Sequence, residues 1–250
     1  MFNMKIAMCS DRKRKNDRKD PGASRYGSFI NYYQFHPVDE RVGQLPRGVW
    51  RSQHPDRKYI ALDVGCNAGN LTSALKQFIK NNLEPDIDVH ILGIDLDSTL
   101  IERARENYPE PNVKFQCLDF FSKESEHVLT EYLQQFERTR FDVVFCFSIT
   151  MWIHLNHGDE GLIKFLEDIC FYSEMVVIEP QLWKCYRNAS RRLRRADEGD
   201  FPLINELKMT GDMERHIERI ICCDKCNFQK INITKNNNWG RKLLIFQRKS

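Results

Sequence analysis

Three short segments of this 250-residue chain carry groups whose types and spacing suit a nucleoside. In Leu62-Asp63-Val64-Gly65-Cys66-Asn67-Ala68-Gly69 an apolar run ends in a glycine turn. Gly65 lets the chain turn at little steric cost and lets a ligand approach the backbone. A second apolar run closes on Gly93-Ile94-Asp95-Leu96-Asp97, where the Asp95 carboxylate can accept from both ribose hydroxyls. A third closes on Asp119-Phe120, an acceptor for the adenine exocyclic amine and a ring to pack on the base. The plainer alternative is a helix cap and a core aromatic. A dinucleotide fingerprint wants a middle glycine where a pyrophosphate approaches. This chain has Asn67 there, which disfavours a nicotinamide dinucleotide and favours a nucleoside without phosphates. S-adenosylmethionine (SAM), an adenosine with an amino-acid tail that an amide and backbone N–H groups can hold, is such a molecule.

The elements that must position these groups are legible as alternating apolar runs and helical spacings. Strands are expected at 59–64, 89–94, 113–118, 142–147 and 175–178, with helices between them, among them 71–79 and 162–169. Alternation of this kind means a parallel sheet with helices on both faces. At the end of the chain, 228–234 and 243–247 flank Lys235-Asn236-Asn237-Asn238-Trp239-Gly240-Arg241 and read as a hairpin. The expected fold is therefore α/β and doubly wound, a mostly parallel seven-stranded sheet with a C-terminal antiparallel hairpin. One domain is expected over 25–250, preceded by a basic, disordered tail over 1–24 that contains DRKRKNDRKD. The aromatic-dense stretch 26–36 has no clean periodicity and must pack on something, as a lid or a flank.

Composition narrows the class. The 38 Lys and Arg against 35 Asp and Glu leave a formal charge of +3, informative only once mapped. No apolar run approaches the roughly 20 residues of a membrane span, so none is expected. The opening Met1-Phe2-Asn3-Met4-Lys5-Ile6 runs into charge, unlike a secretory signal. Nine scattered cysteines read as reduced thiols of a cytoplasmic protein that also has access to the nucleus. Cys222-Cys223 with Cys226 and His216 lacks a second pair at zinc spacing, so no metal is expected.

Two distal segments are more specific: Met151-Trp152-Ile153-His154-Leu155-Asn156-His157-Gly158-Asp159, and Glu179-Pro180-Gln181-Leu182-Trp183-Lys184-Cys185-Tyr186-Arg187. They resemble the RNA 5′-phosphate methyltransferases of the bicoid-interacting-protein-3 type, the family that includes the methylphosphate capping enzyme. Within it they most resemble the branch acting on RNA 5′-monophosphate, notably of histidine tRNA and microRNA precursors. The resemblance runs from about residue 26 to about 248. It implies the class I SAM-dependent methyltransferase (Rossmann-like) fold, and cofactor contacts at Arg41, Asn67, Asp95, Asp119, Phe120 and Phe147 beside the Gly65 turn. Two departures are Ser28, where the family shows Gly-Asn before the aromatic run, and Leu182 for the usual proline.

Methyl transfer from a sulfonium to a phosphate oxygen is an in-line displacement. A terminal phosphate with a second pKa near 6 is already largely ionised around neutrality, so no strong base is needed. Proximity and donors that hold the phosphate are. His154, Asn156 and Lys184, which follow the strand ends beside the sulfonium, are the expected holders. His154 has the alternative of a histidine that stabilises its loop; Met151 and Trp152 read as pocket wall, with base stacking open to Trp152 or Trp183. Lys184, Arg187, Arg191 and Arg195 recur at i, i+3, i+7 and i+11, one helix face with no acid before Ala196. A solvated face is the usual fate of such a run; beside an active site it can hold RNA phosphates. The expected protein is a monomeric SAM-dependent enzyme acting on the 5′-monophosphate of a small RNA. The alternatives are a methyltransferase with a protein or small-molecule acceptor, and a non-catalytic RNA-binding protein on the same fold.

Overall fold

The computed structural model describes residues 24–52 and 54–250; the expected tail therefore lies outside the described residues except for Ser24. The sheet is built from β1 (Lys58–Val64), β2 (Asp88–Asp95), β3 (Val113–Cys117), β4 (Val143–Phe147), β5 (Met175–Glu179), β6 (Phe228–Ile233) and β7 (Leu244–Arg248). Its order is β3-β2-β1-β4-β5-β7-β6, with β1 to β5 parallel and β7 antiparallel to both β5 and β6. This is the expected doubly wound seven-stranded sheet.

The central strands are apolar on both faces because helices cover both. Along β1 the faces alternate with the period of a strand: Ile60, Leu62 and Val64 join one core, Tyr59 and Ala61 the other. The second core takes α3 (Asn70–Asn82) through Leu71, Leu75 and Ile79 at four-residue spacing, and α4 (Ser98–Asn107) through Ile101 and Ala104. Asp97 caps α4, its side chain accepting from the N–H groups of Thr99 and Leu100. The first core takes α5 (Ser125–Gln134), α6 (Thr150–Phe171), α7 (Trp183–Arg195) and α8 (Met213–Ile221).

Two features depart from the expected pattern, and a third, inherent in the doubly wound sheet, makes the site. The helix expected at 162–169 begins at Thr150 and is broken at Gly158, where φ is 72°. Helix α8 and two short helices ahead of the sheet, α1 (Tyr32–Phe35) and α2 (Val38–Gln44), had no sequence assignment. Strand order reverses between β2-β1 and β4-β5, so the connections after β1 and β4 diverge and leave a crevice at the carboxyl ends of the strands.

Candidate active site

A cleft opens over that crevice, enclosing about 930 Å³ of space that is continuous with solvent at its mouth. Its floor is Gly65, Asn67, Asp95, Asp119, Phe120 and Phe147, and its roof is Tyr26, Gly27, Ser28, Tyr32 and Tyr33. The aromatic stretch is thus the flank that covers the cleft. Gly27, at φ 81°, lies so close to Trp152 that any side chain there would run into the indole.

The glycine turn works by shape. Gly65 has φ 79°, and a side chain on it would meet Ile149. Every N–H from Gly65 to Gly69 has an internal acceptor: Ile94 O for Gly65 and Cys66, the Asp95 carboxylate for Asn67, Asn67 Oδ1 for Ala68, Cys66 O for Gly69. The expectation that this backbone would donate to a ligand is corrected accordingly. Asn67 likewise spends its amide on the chain, Nδ2 donating to Phe29 O at 3.0 Å. It pins the roof to the turn.

Asp95 is buried and accepts from Asn67 N–H at 2.9 Å and Asp97 N–H at 3.0 Å. Each carboxylate oxygen keeps a second acceptor site for a ribose hydroxyl. Burial raises its pKa, and the backbone donors oppose that rise. Asp119 is exposed at the cleft and accepts from Phe121 N–H at 2.9 Å. Phe120 packs edge-on to Phe165, while Phe121 stacks on His157 with ring centroids 3.9 Å apart.

Arg41, on α2, is 1% exposed and lines the cleft. Its Nη2 lies 2.6 Å from Tyr32 Oη, 2.8 Å from Ser148 Oγ and 2.9 Å from Glu179 Oε2. The rings of Tyr32, Phe147 and Trp239 surround the guanidinium at 4.9–5.7 Å. Its Nε is buried with no acceptor. Glu179 closes β5 and is fully buried, and its pKa is held low by Arg41 and Arg241 against the cost of burial.

The three residues expected to hold the acceptor phosphate are placed differently. His154 is fully buried and outside the cleft lining. Its Nε2 faces Asp159 Oδ1 at 2.7 Å and its Nδ1 faces Tyr186 Oη at 3.1 Å. Asp159 also accepts from the N–H groups of Lys208 and Met209, so His154 braces the kink at Gly158 against α7 and the loop before α8. That is the stabilising alternative. Asn156 lines the cleft, but its amide donates to Arg25 O and Trp152 O, both at 2.8 Å, and ties down the roof. Lys184 is exposed on the first turn of α7, its Nζ 3.7 Å from where a side chain on Gly240 would begin, outside the cleft. Arg41 is the one Lys or Arg lining the cleft among the described residues.

Arg187, Arg191 and Arg195 share the exposed side of α7, opposite buried Tyr186, Ala189, Ser190 and Leu193. None of the three forms an ion pair among the described residues, whereas Arg194 meets Asp200 at 3.6 Å. The far end of α7 is fastened to the roof. Arg25 donates to Glu198 O at 2.9 Å and Asp200 O at 3.3 Å, with its guanidinium 6.0 Å from the Phe201 ring.

Sequence reasoning missed Glu179, Ser148, Arg241 and Trp239 as site residues. Glu179 carried a usable signal, an acid ending an apolar run as Asp95 does; Arg241 and Trp239 in the hairpin turn carried none. Among the described residues no cluster of three His, Cys, Asp or Glu could hold a metal ion, and no helix is long and apolar enough to cross a membrane.

The residues present fit SAM: an acidic acceptor at the second strand end, an aromatic at the third, and a buried cation in the cleft lining with one donor unused. Comparison with known proteins agrees. A methyltransferase-domain family model matches residues 55–194, and the model described as Bicoid-interacting protein 3 (Bin3) matches residues 141–248. The "Pre-miRNA 5'-monophosphate methyltransferase" of Xenopus laevis is 39% identical over 240 residues, covering 91% of this chain and 94% of the relative. The "RNA 5'-monophosphate methyltransferase" of Bos taurus is 40% identical over 242 residues, covering 92% and 82%. The protein of that name from Homo sapiens is 39% identical over 241 residues, again covering 92% and 82%.

Proposed function

The chain belongs to the Bin3-type methyltransferase family, and on that premise we propose that it methylates the 5′-monophosphate of a small RNA, with SAM as donor. One observation carries this reading: a cleft fitted to a nucleoside with an anionic tail, in a chain that matches proteins named for this acceptor over nearly its whole length.

When bound, SAM supplies an electrophilic methyl group on its sulfonium. Asp95 would hold the ribose, Asp119 and Phe120 the adenine, and Arg41 the tail carboxylate. The acceptor brings its own nucleophile, because a terminal phosphate is mostly dianionic near neutrality. The chain therefore needs to orient and desolvate, and needs no base. The roof residues Tyr26, Gly27 and Ser28, pinned by Asn67 and Asn156, exclude water from one side.

Beyond the terminal phosphate, the exposed cations Arg187, Arg191 and Arg195 on α7 would take the following phosphates. The Arg25 clamp supports this arrangement, since it ties the end of α7 to the roof of the cleft. The expected location is the cytoplasm, with access to the nucleus, where the free described cysteines would stay reduced. The enzyme is expected to act as a monomer.

The direct test supplies radiolabelled SAM with two RNAs of one sequence, one 5′-phosphorylated and one 5′-hydroxyl. Label only on the first supports the proposal. Equal labelling of both, or label on a base, overturns it and returns the acceptor to a nucleobase or another molecule.

A further inference from the structure

Through Arg241, which lies outside the expected cofactor set, the C-terminal hairpin contacts Ser148 from behind the cleft wall. Arg241 is 8% exposed and lies at the start of the approach to β7. Its Nη1 donates to Ser148 Oγ at 2.6 Å and sits 3.5 Å from Glu179 Oε2. Two neighbours in the same turn also reach Glu179: Trp239 Nε1 and Asn237 Nδ2 donate to Oε1 at 2.9 and 3.0 Å. The Asn237 side chain in turn accepts from Arg241 N–H at 2.7 Å, which closes the turn.

The charge count in this set of contacts is uneven. Arg41 and Arg241 both face Glu179 Oε2, two guanidiniums on one carboxylate. Arg41 and Glu179 alone would be a neutral buried pair with little attraction for an anion. With Arg241 sharing the carboxylate, the set carries one net positive charge away from solvent, where charges are weakly screened. The Nε of each guanidinium is buried with no acceptor, but Arg41 lines the cleft and Arg241 does not, so the excess meets a ligand at Arg41. His36 reports the same field. It stacks on Tyr32 and meets Trp239 edge-on, and its pKa is lowered to about 4 by burial and then by Arg241 and Arg41.

We propose that Arg241 is a positioning residue for the cofactor: by drawing on Glu179 it leaves Arg41 with the uncompensated charge that selects an anionic tail. The hairpin turn is then part of the methyl-transfer site. The proposal rests on the reading that the cleft takes SAM.

Titration calorimetry on the full chain separates the two readings by using two ligands. S-adenosylhomocysteine carries the tail carboxylate, and 5′-methylthioadenosine has the same nucleoside without it. Arg241→Gln keeps a hydrogen-bonding side chain and removes the charge. It should weaken S-adenosylhomocysteine about 10-fold, the scale of one charge-assisted contact, and leave methylthioadenosine within about twofold. Equal loss of both ligands would show a merely structural residue and overturn the proposal, as would no loss of either. Should Arg241→Gln fail to fold, Arg241→Lys carries the test: charge balance predicts S-adenosylhomocysteine affinity within about threefold of the parent, and a tenfold loss overturns it. If the parent chain binds neither ligand, the SAM reading itself fails, a different result from either of these.

Discussion

Glu179 Oε2 lies 2.9 Å from Arg41 Nη2, both side chains at most 1% exposed, and this pair joins the end of β5 to a helix that precedes the whole sheet. The separation in sequence is what makes the contact consequential. It holds α2, and with it the roof of the cleft, against the sheet.

Glu179→Gln should therefore cost stability as well as ligand affinity. It removes the carboxylate that both buried guanidiniums meet, and breaking such a pair costs about 3–5 kcal/mol. Urea unfolding of parent and variant measures the loss. A change below about 1 kcal/mol would mean that the pair is not what anchors the roof.

Asp95→Ala should weaken S-adenosylhomocysteine by about 100-fold, from two lost hydrogen bonds to a charged acceptor, while RNA affinity is largely kept. Calorimetry for the cofactor and fluorescence anisotropy for RNA give the two numbers. Parallel loss of both would contradict the division between cofactor floor and RNA face.

His154→Ala should unfold more readily without losing cofactor. Its ring nitrogens face Asp159 and Tyr186 in the interior, so truncation leaves a cavity and a carboxylate without its hydrogen-bond partner, worth about 2–4 kcal/mol. Thermal unfolding with and without S-adenosylhomocysteine checks it: the melting temperature should fall, and the cofactor-induced rise should be that of the parent.

Replacing Arg187, Arg191 and Arg195 together with glutamine should flatten the salt dependence of RNA binding. Each lost phosphate contact on single-stranded RNA lowers the slope of log K against log salt by about 0.7. Anisotropy titrations across several salt concentrations provide the slope. An unchanged slope would move the RNA path off α7.

The fold was legible where physical rules act locally. Strand-length apolar runs, the four-residue spacing of Leu71, Leu75 and Ile79, and the hairpin turn each fixed an element. Gly65, Asp95, Asp119 and Phe120 could be read as one site because successive parallel strands end at the same edge. His154, Asn156 and Lys184 could not be placed by the same means. Whether a polar side chain after a strand end faces the cleft or the interior depends on the kink at Gly158 and the course of α7, which local spacing does not encode. Arg241 was beyond reach for a related reason, since its partners Ser148 and Glu179 are dozens of residues away and their meeting is a property of strand order.

Asp63 supplies a pH signature. Burial chiefly raises its carboxyl from 3.8 to about 6, with Thr72 and Arg41 opposing. An acid whose folded pKa is raised binds more protons in the folded state between those values. Its contribution therefore weakens the fold as pH climbs from about 4 to about 6 and is constant above. Asp63→Asn retains an acceptor for the Thr72 hydroxyl and lacks the ionisation, so its stability relative to the parent should grow over that window by roughly 2–3 kcal/mol. Denaturant unfolding at intervals from pH 4 to 7 gives the difference curve, and a flat curve would contradict a raised Asp63 pKa.

The central claim is that the methyl group lands on the 5′ phosphate. The most direct measurement is mass spectrometry of the 5′-terminal nucleotide released by nuclease from a 5′-monophosphorylated RNA treated with the enzyme and SAM. The terminal nucleotide should be heavier by one or two methyl groups, all of which leave with the phosphate when its ester bond to the nucleoside is cleaved. A terminal nucleotide of unchanged mass, or methyl groups retained on the nucleoside once the phosphate is gone, would contradict it.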